Sequence, residues 1–127
     1  MPIPRAAVHS LIAGNVPGVE ETYGSNSVDS PREQSFIVLH WETTTAAFGS
    51  RGTTVLYVWV HDRERDYTRC IDPALTWVRE TLTESFHVLG DDGVTLTCAT
   101  WAGESDDLFD DGYGTITRYA QFTIVAR

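Results

Sequence analysis

The side chains of this sequence with the most chemical potential are four histidines (His9, His40, His61, His87), two cysteines (Cys70, Cys98) and one dense acidic run. That run, Glu104-Ser-Asp-Asp-Leu-Phe-Asp-Asp111, packs five carboxylates into eight residues, the kind of oxygen cluster that could hold calcium. An EF-hand loop, however, needs alternating oxygen ligands, a glycine at the sixth position and a glutamate at the twelfth. Counted from Asp106 or Asp107, the twelfth position is Thr117 or Arg118, so the pattern fails and the default is a solvated acidic loop. The histidines show no ligand spacing; His40 and His61 end adjacent predicted strands and could approach one another, but such pairs are usually incidental. The cysteines form no CxxC pair and are expected to be two buried free thiols rather than a disulfide or a reactive site. There is no GxSxG, no HExxH and no phosphate-cradling glycine loop. A Ser/His/Asp set can be assembled from almost any chain with this many of each, so it carries no information. The expectation is a non-enzyme with no catalytic residues, no metal and no cofactor, leaving a binding or assembly role.

The elements that must position these residues follow from hydrophobic period. The 127 residues fit one domain, 1–127, with a modest core, and 42% hydrophobic with 21% charged residues is ordinary for a soluble globular protein. No apolar run is long enough to span a membrane, and Met-Pro-Ile-Pro-Arg lacks the order of a signal peptide, so a cytoplasmic location is expected. The formal net charge of −9, with every basic residue an arginine, argues against nucleic-acid binding, which needs clustered cations. It fits a solubilising surface or a wall past which a polyanion slides.

Val8, Leu11 and Ile12 predict a short amphipathic helix over 5–14, with Gly14 and Asn15 as its C-cap and His9 solvated off the stripe. Residues 15–33, rich in Pro, Gly and Ser, read as a long loop. Two strands follow, Ser35–Trp41 and Thr53–Val60, both rich in β-branched and aromatic residues. The connection between them, 43–52, carries Phe48 and Arg51 with two glycines, the makings of a finger that orders on contact with a partner, or of a loop with none. Ile71, Leu75, Val78 and Leu82 predict a second helix, beginning between Arg69 and Asp72 because Pro73 is tolerated only in a first turn. Trp77 lies off that stripe and either packs on the flank of the sheet or anchors a partner. Asp92-Gly93 signals a tight turn between Phe86–Leu89 and Val94–Trp101, with Val94, Leu96 and Cys98 on one face of the second run. Thr115–Arg127 is the longest extended run. Arg118 falls on its apolar side, so it must sit beyond the core's edge or find a carboxylate.

Together these predict an α+β fold of order α-β-β-α-β-β, a mostly antiparallel sheet of about four strands with two helices on one face. Alternation makes both faces of the central strands largely apolar: Phe36, Val38 and His40 against Ile37, Leu39 and Trp41, and Leu56, Val58 and Val60 against Val55, Tyr57 and Trp59. Two helices cover one face only. The other is expected to carry uncovered rings from among Trp41, Tyr57, Trp59 and Tyr119, a patch of the kind that marks association.

Four segments carry a family resemblance: Phe36-Ile-Val-Leu-His-Trp-Glu42, Val55-Leu-Tyr-Val-Trp-Val-His-Asp62, Tyr67-Thr-Arg-Cys-Ile-Asp-Pro-Ala-Leu-Thr-Trp-Val-Arg79 and Ile116-Thr-Arg-Tyr-Ala-Gln-Phe-Thr-Ile124. From Phe36 onward the chain resembles the tail terminator proteins of long-tailed bacteriophages, particularly those infecting actinobacteria, which are related in fold to the minor tail protein U group. These are patterns of packing, and the family offers no catalytic residues to carry over. The resemblance implies a structural subunit of a ring, usually a homo-hexamer, that caps the tail tube and presents its other side to the neck. Its partners would be the tail tube protein and a head-tail connector or neck protein. Genomic DNA would pass through without specific binding, with no membrane involved. The location implied is the head-proximal end of the tail in the virion, and the host cytoplasm during assembly. In that setting Trp41, Phe48, Arg51, Tyr57, Trp59, Trp77 and Tyr119 would serve subunit or tube contacts. Glu104, Asp106, Asp107, Asp110 and Asp111 would line the hole and repel DNA. A head-completion or stopper protein of the neck is the nearest alternative, and a small ligand- or metal-binding α+β domain a more distant one.

Overall fold

A computed structural model describes residues 2–19, 21–23, 35–44, 53–62, 71–110 and 115–127. The chain runs α1 (Arg5–Ile12), β1 (Glu21–Tyr23), β2 (Phe36–Thr43), β3 (Thr54–Asp62), α2 (Ile71–Thr83), β4 (Val88–Leu89), β5 (Thr95–Glu104), β6 (Leu108–Asp110) and β7 (Thr115–Ala126). It is an α+β fold in which both helices pack on one face of a largely antiparallel sheet of order β1-β2-β3-β7-β5-β4, with β6 also paired to β7. The sheet therefore has seven segments rather than about four. The additional ones, β1, β4 and β6, are only two or three residues long. β1 lies within the stretch read as a structureless loop and joins β2 in parallel, pairing Glu21 with Phe36 and Tyr23 with Val38. Three residues of backbone pairing leave no hydrophobic period to detect.

The long strands form where β-branched and aromatic residues concentrate. Register sets Ile37 opposite Val60, Leu39 opposite Val58 and Trp41 opposite Leu56; β7 then places Phe122 opposite Leu56 and Ala120 opposite Val58. These residues and Ile124 point to one side and are buried there against Ala7, Val8 and Ile12 of α1 and Ile71, Leu75, Val78 and Leu82 of α2. The 4-3-4 spacing along α2 delivers its whole stripe to this core, and Pro73 sits in the first turn, where its missing N–H has no helical partner. α1 ends at Ile12, two residues short of the expected end. Gly14 takes a left-handed φ of +75°, and the Asn15 side chain donates to the Leu11 carbonyl at 3.2 Å, so both expected terminators act just past the helix.

Two register shifts interrupt β5, one between Leu96 and Cys98 and one between Trp101 and Gly103. Each extra residue reverses the alternation beyond it. Leu96 faces the core as expected, but Ala99 and Trp101, not Cys98, continue that face. Cys98 is a half-buried free thiol on the opposite side, rather than a buried one, and Cys70 lies outside the described residues.

Candidate functional site: the helix-free face and its acidic border

The side chains alternating with the core set lie on the face that no described helix covers. Row by row across β2, β3 and β7, pairing brings together Phe36, His61 and Thr117, then Val38, Trp59 and Tyr119, then His40, Tyr57 and Gln121. Phe36 and Val38 are buried here, with Trp59 packed on them as a small second cluster. Tyr119 links the strip, lying 4.6 Å from the Trp59 ring and 5.2 Å from Tyr57 in an edge-to-face arrangement, and His40 stands 6.0 Å from Tyr57. Offset and edge contacts of this kind add stabilisation beyond area burial alone.

Of the residues expected to share this surface, Tyr57, Trp59 and Tyr119 are brought together, but each is half-buried by its neighbours rather than laid open. Trp41 belongs to the other face. It is 9% exposed in the main core, because its register partner Leu56 and its own pleat position direct it under the helices. Trp77 is half-buried and packs against the same core from α2, the flank position of its two alternatives. Phe48 and Arg51 lie outside the described residues. Among the described residues the most exposed large apolar side chains are instead Leu89 (70%), Phe86 (61%), Phe109 (51%), Val125 (50%) and Leu108 (42%). Short apolar pairs beside turns and acids give no periodic signal, and that is why sequence reasoning passes over them.

Buried polar groups close one end of the face. His61 stacks on Phe36 at 4.6 Å with the rings 7° from parallel, and its Nδ1 makes a 2.8 Å hydrogen bond with Thr115 Oγ1. Thr117 Oγ1 donates to the Val60 carbonyl at 2.9 Å. His40 and His61 do not meet. They sit four pleat positions apart along the ladder, about 13 Å at strand spacing, and His40 instead contacts Glu42 at 3.3 Å. Tyr57 holds its phenol proton more tightly than usual, because of partial burial first, then the charge of Glu42, the neighbouring Tyr119 and a hydrogen bond to Glu42.

The acidic run is not one loop. Leu108–Asp110 form β6, pairing with Thr115–Thr117, so β5 and β6 are a single bent edge along β7 with an irregular corner between them. Ser105 anchors the corner, its N–H donating to the Tyr119 carbonyl and its Oγ accepting from the Tyr119 N–H. Asp107 turns inward to Arg118, whose Nε and Nη2 both donate to Asp107 Oδ1, at 2.9 and 2.7 Å. Arg118 Nη1 reaches Asp72 Oδ1 in the first turn of α2 at 2.6 Å. The arginine on the apolar side of β7 thus finds two carboxylates, one 46 residues away in sequence. Burial alone lowers the guanidinium's pKa, but the hydrogen bonds and charges of Asp107 and Asp72 outweigh it and hold the pKa above the ordinary value. Glu104 and Asp106 are exposed, Asp110 is half-buried and Asp111 lies outside the described residues.

Among the described residues no group of three or more His, Cys, Asp or Glu is arranged to hold a metal ion, and no helix is long and apolar enough to cross a membrane. No family model matches the chain, and no curated protein matches it.

Proposed function

We propose that this chain is a structural subunit of a ring at the head-proximal end of a bacteriophage tail, where it stops growth of the tail tube and offers the surface to which the head joins. What supports this reading in the structure is the helix-free face. His40, Tyr57, Trp59, Tyr119 and Gln121 form an aromatic, nearly uncharged strip in a protein of net charge −9. Glu42, the carboxylate beside this strip, is engaged by His40 and Tyr57, which leaves aromatic surface of the kind an assembly subunit presents to a neighbour. The residue resemblance described above supplies the particular assembly. Tyr57, Trp59 and Tyr119 are the contacts this reading assigns to tube or neighbour. Glu104 and Asp106, exposed members of the acidic run, are the charges this reading assigns to keeping DNA sliding, whereas Asp107, also exposed, is engaged by Arg118.

Electron microscopy of tails assembled with and without the protein tests the reading. Without it, tails should overgrow or fail to join heads, and purified protein should bind purified tail tubes. Tails of normal length that join heads normally in its absence would refute it. Binding to a portal assembly in place of tubes would favour the stopper alternative.

A further inference from the structure

The rings of the helix-free face stand at steep angles to one another rather than forming a flat floor. Tyr57 and Tyr119 meet edge to face at 81°, and Trp59 is tilted 55° against Tyr119. The face of each ring carries partial negative charge and attracts a cation placed within about 6 Å of its centre. Glu42 lies beside them. It follows His40 by two residues on β2, so it points to the same side of the sheet, and its carboxylate bonds the Tyr57 phenol. Behind partial burial, the charge of Glu42 is the main reason that phenol keeps its proton. Acceptor capacity remains. The contact with His40 runs through Oε1, a carboxylate has roughly four acceptor sites, and the Glu42 side chain is 56% exposed.

Among the described residues no arginine faces these rings. Arg79 lies 3.8 Å over the Trp101 ring and Arg118 is clamped by Asp72 and Asp107, both on the helix side of the sheet. Arg5 opens α1, and Arg127 pairs with Thr95 in the row of Leu89. The chain contains no lysine. Electron-rich rings beside a solvent-facing carboxylate, in a protein of net charge −9, complement a cationic partner and not a second copy of the same acidic chain. Arginine suits both halves of the arrangement. Its planar guanidinium stacks on aromatic faces, forks onto a carboxylate and sheds water more readily than an ammonium group, while its apolar stem can lie along further rings.

We infer that this strip receives an arginine side chain of a different protein, with the guanidinium paired to Glu42 and lying against Tyr57, and the stem lying along Tyr119 and Trp59. The inference deepens the reading of these rings as a contact surface and rests on it for the partner's place in the assembly, but its test needs only the purified chain and a peptide.

Acetyl-Gly-Arg-Gly-amide titrated into isotope-labelled protein and followed by NMR should shift the Trp59 indole N–H and the Tyr57 and Tyr119 amides in a saturable way. The same peptide with citrulline keeps the shape of arginine but loses its charge, and should bind about tenfold more weakly, as expected when a cation–π contact and an exposed ion pair are lost together. Glu42→Gln should weaken the arginine peptide about fivefold and leave the citrulline peptide unchanged. Glu104→Gln removes the same charge from a residue paired with Ala120, on the opposite side of the sheet, and should leave both peptides as they were. Both substitutions are isosteric and at exposed positions, so each variant should keep the wild-type circular dichroism spectrum and melting temperature. Equal binding of the arginine and citrulline peptides, equal losses from Glu42→Gln and Glu104→Gln, or no saturable shift at Trp59 would overturn the inference. So would a Trp59 indole signal that moves with protein concentration alone, since a second copy would then be the occupant. If the peptide is ignored while tails still need the protein, the arginine contact falls and the proposed function stands. If the peptide binds while tails ignore the protein, the reverse follows.

Discussion

Replacing Arg118 with methionine removes the guanidinium but keeps an unbranched apolar stem of similar length, so the loss reports the polar clamp rather than a cavity. The side chain of Arg118 is 18% exposed, and it makes three charge-assisted hydrogen bonds to carboxylates that are themselves 48% exposed at Asp72 and 37% at Asp107. Such bonds are worth about 1.5–3 kcal/mol each when dry, but exposed ion pairs give only about 0.2–1 kcal/mol. Both carboxylates can rehydrate once the arginine is gone, so the full cost of stranding buried charges does not apply. Arg118→Met should therefore destabilise the fold by about 2 kcal/mol, or roughly 8 °C in Tm for a chain of this length. Chemical denaturation at low salt measures the loss, and the gap to wild type should narrow at about 1 M salt as the charges are screened. Because the folded-state pKa of Arg118 lies above its ordinary value, its contribution, while both carboxylates are ionised, is complete below the unfolded-state pKa and lost as pH rises through the folded one. The gap should accordingly be flat from about pH 6 to 10. Asp107→Asn alone should cost about half as much, and adding it to Arg118→Met should cost almost nothing further, since the two share one clamp. A loss under about 0.5 kcal/mol, or strict additivity of the two changes, would show that the clamp does not tie α2 to the β5–β6 corner.

The remaining predictions concern the other end of the core and the helix-free face. Gly90→Ala should destabilise by about 1–3 kcal/mol in thermal or denaturant melts. An added Cβ would come within 2.8 Å of the Ala7 backbone nitrogen, 2.9 Å of Asp92 Oδ1 and 3.1 Å of Ala6 Cβ, leaving the β4 turn no room against α1. Thr115→Val keeps the shape but removes the hydroxyl paired with buried His61, and should cost about 1–2 kcal/mol by the same assay. In a spectrophotometric titration of the five tyrosines, Tyr57→Phe should delete a late-ionising phenol and Glu42→Gln should move that phenol's titration to lower pH. Since the folded-state pKa of Tyr57 is the raised one, the group leaves stability unchanged below the unfolded-state pKa and lowers it as pH climbs through the folded value.

The elements legible in the sequence are those whose identity rests on a period. Ile71, Leu75, Val78 and Leu82 announce α2, and Pro73 marks its first turn. The β-branched and aromatic runs around Leu39, Val58 and Phe122 announce β2, β3 and β7. What escapes is whatever depends on an unseen partner. β1 is held by backbone pairing to β2, so Glu21-Thr-Tyr23 carries no apolar mark. One extra residue near Thr97 flips β5, and alternation read straight through it places Cys98 where Ala99 belongs. Trp41 is likewise separated from Tyr57 and Trp59 by register and pleat, because neighbouring strands expose rings together only if their phases agree.

The acidic run shows most directly why density of charge in a sequence is a poor guide to charge at a surface. Arg118 could be recognised as a cation on an apolar face that requires a carboxylate, yet nothing local names Asp72, which α2 carries in from 46 residues away. Once Asp107 and Asp72 are drawn to that guanidinium, part of the negative charge becomes a fastening between helix and sheet, and Leu108 and Phe109 emerge as an exposed apolar tip on a strand. A run that reads as a repelling wall thus divides into Asp107 engaged by Arg118, Glu104 and Asp106 exposed beside it, a half-buried Asp110 and an exposed apolar pair. The division follows from one rule: a half-buried arginine is held by the carboxylates that reach it, and the residues between those carboxylates take whatever backbone path that geometry leaves.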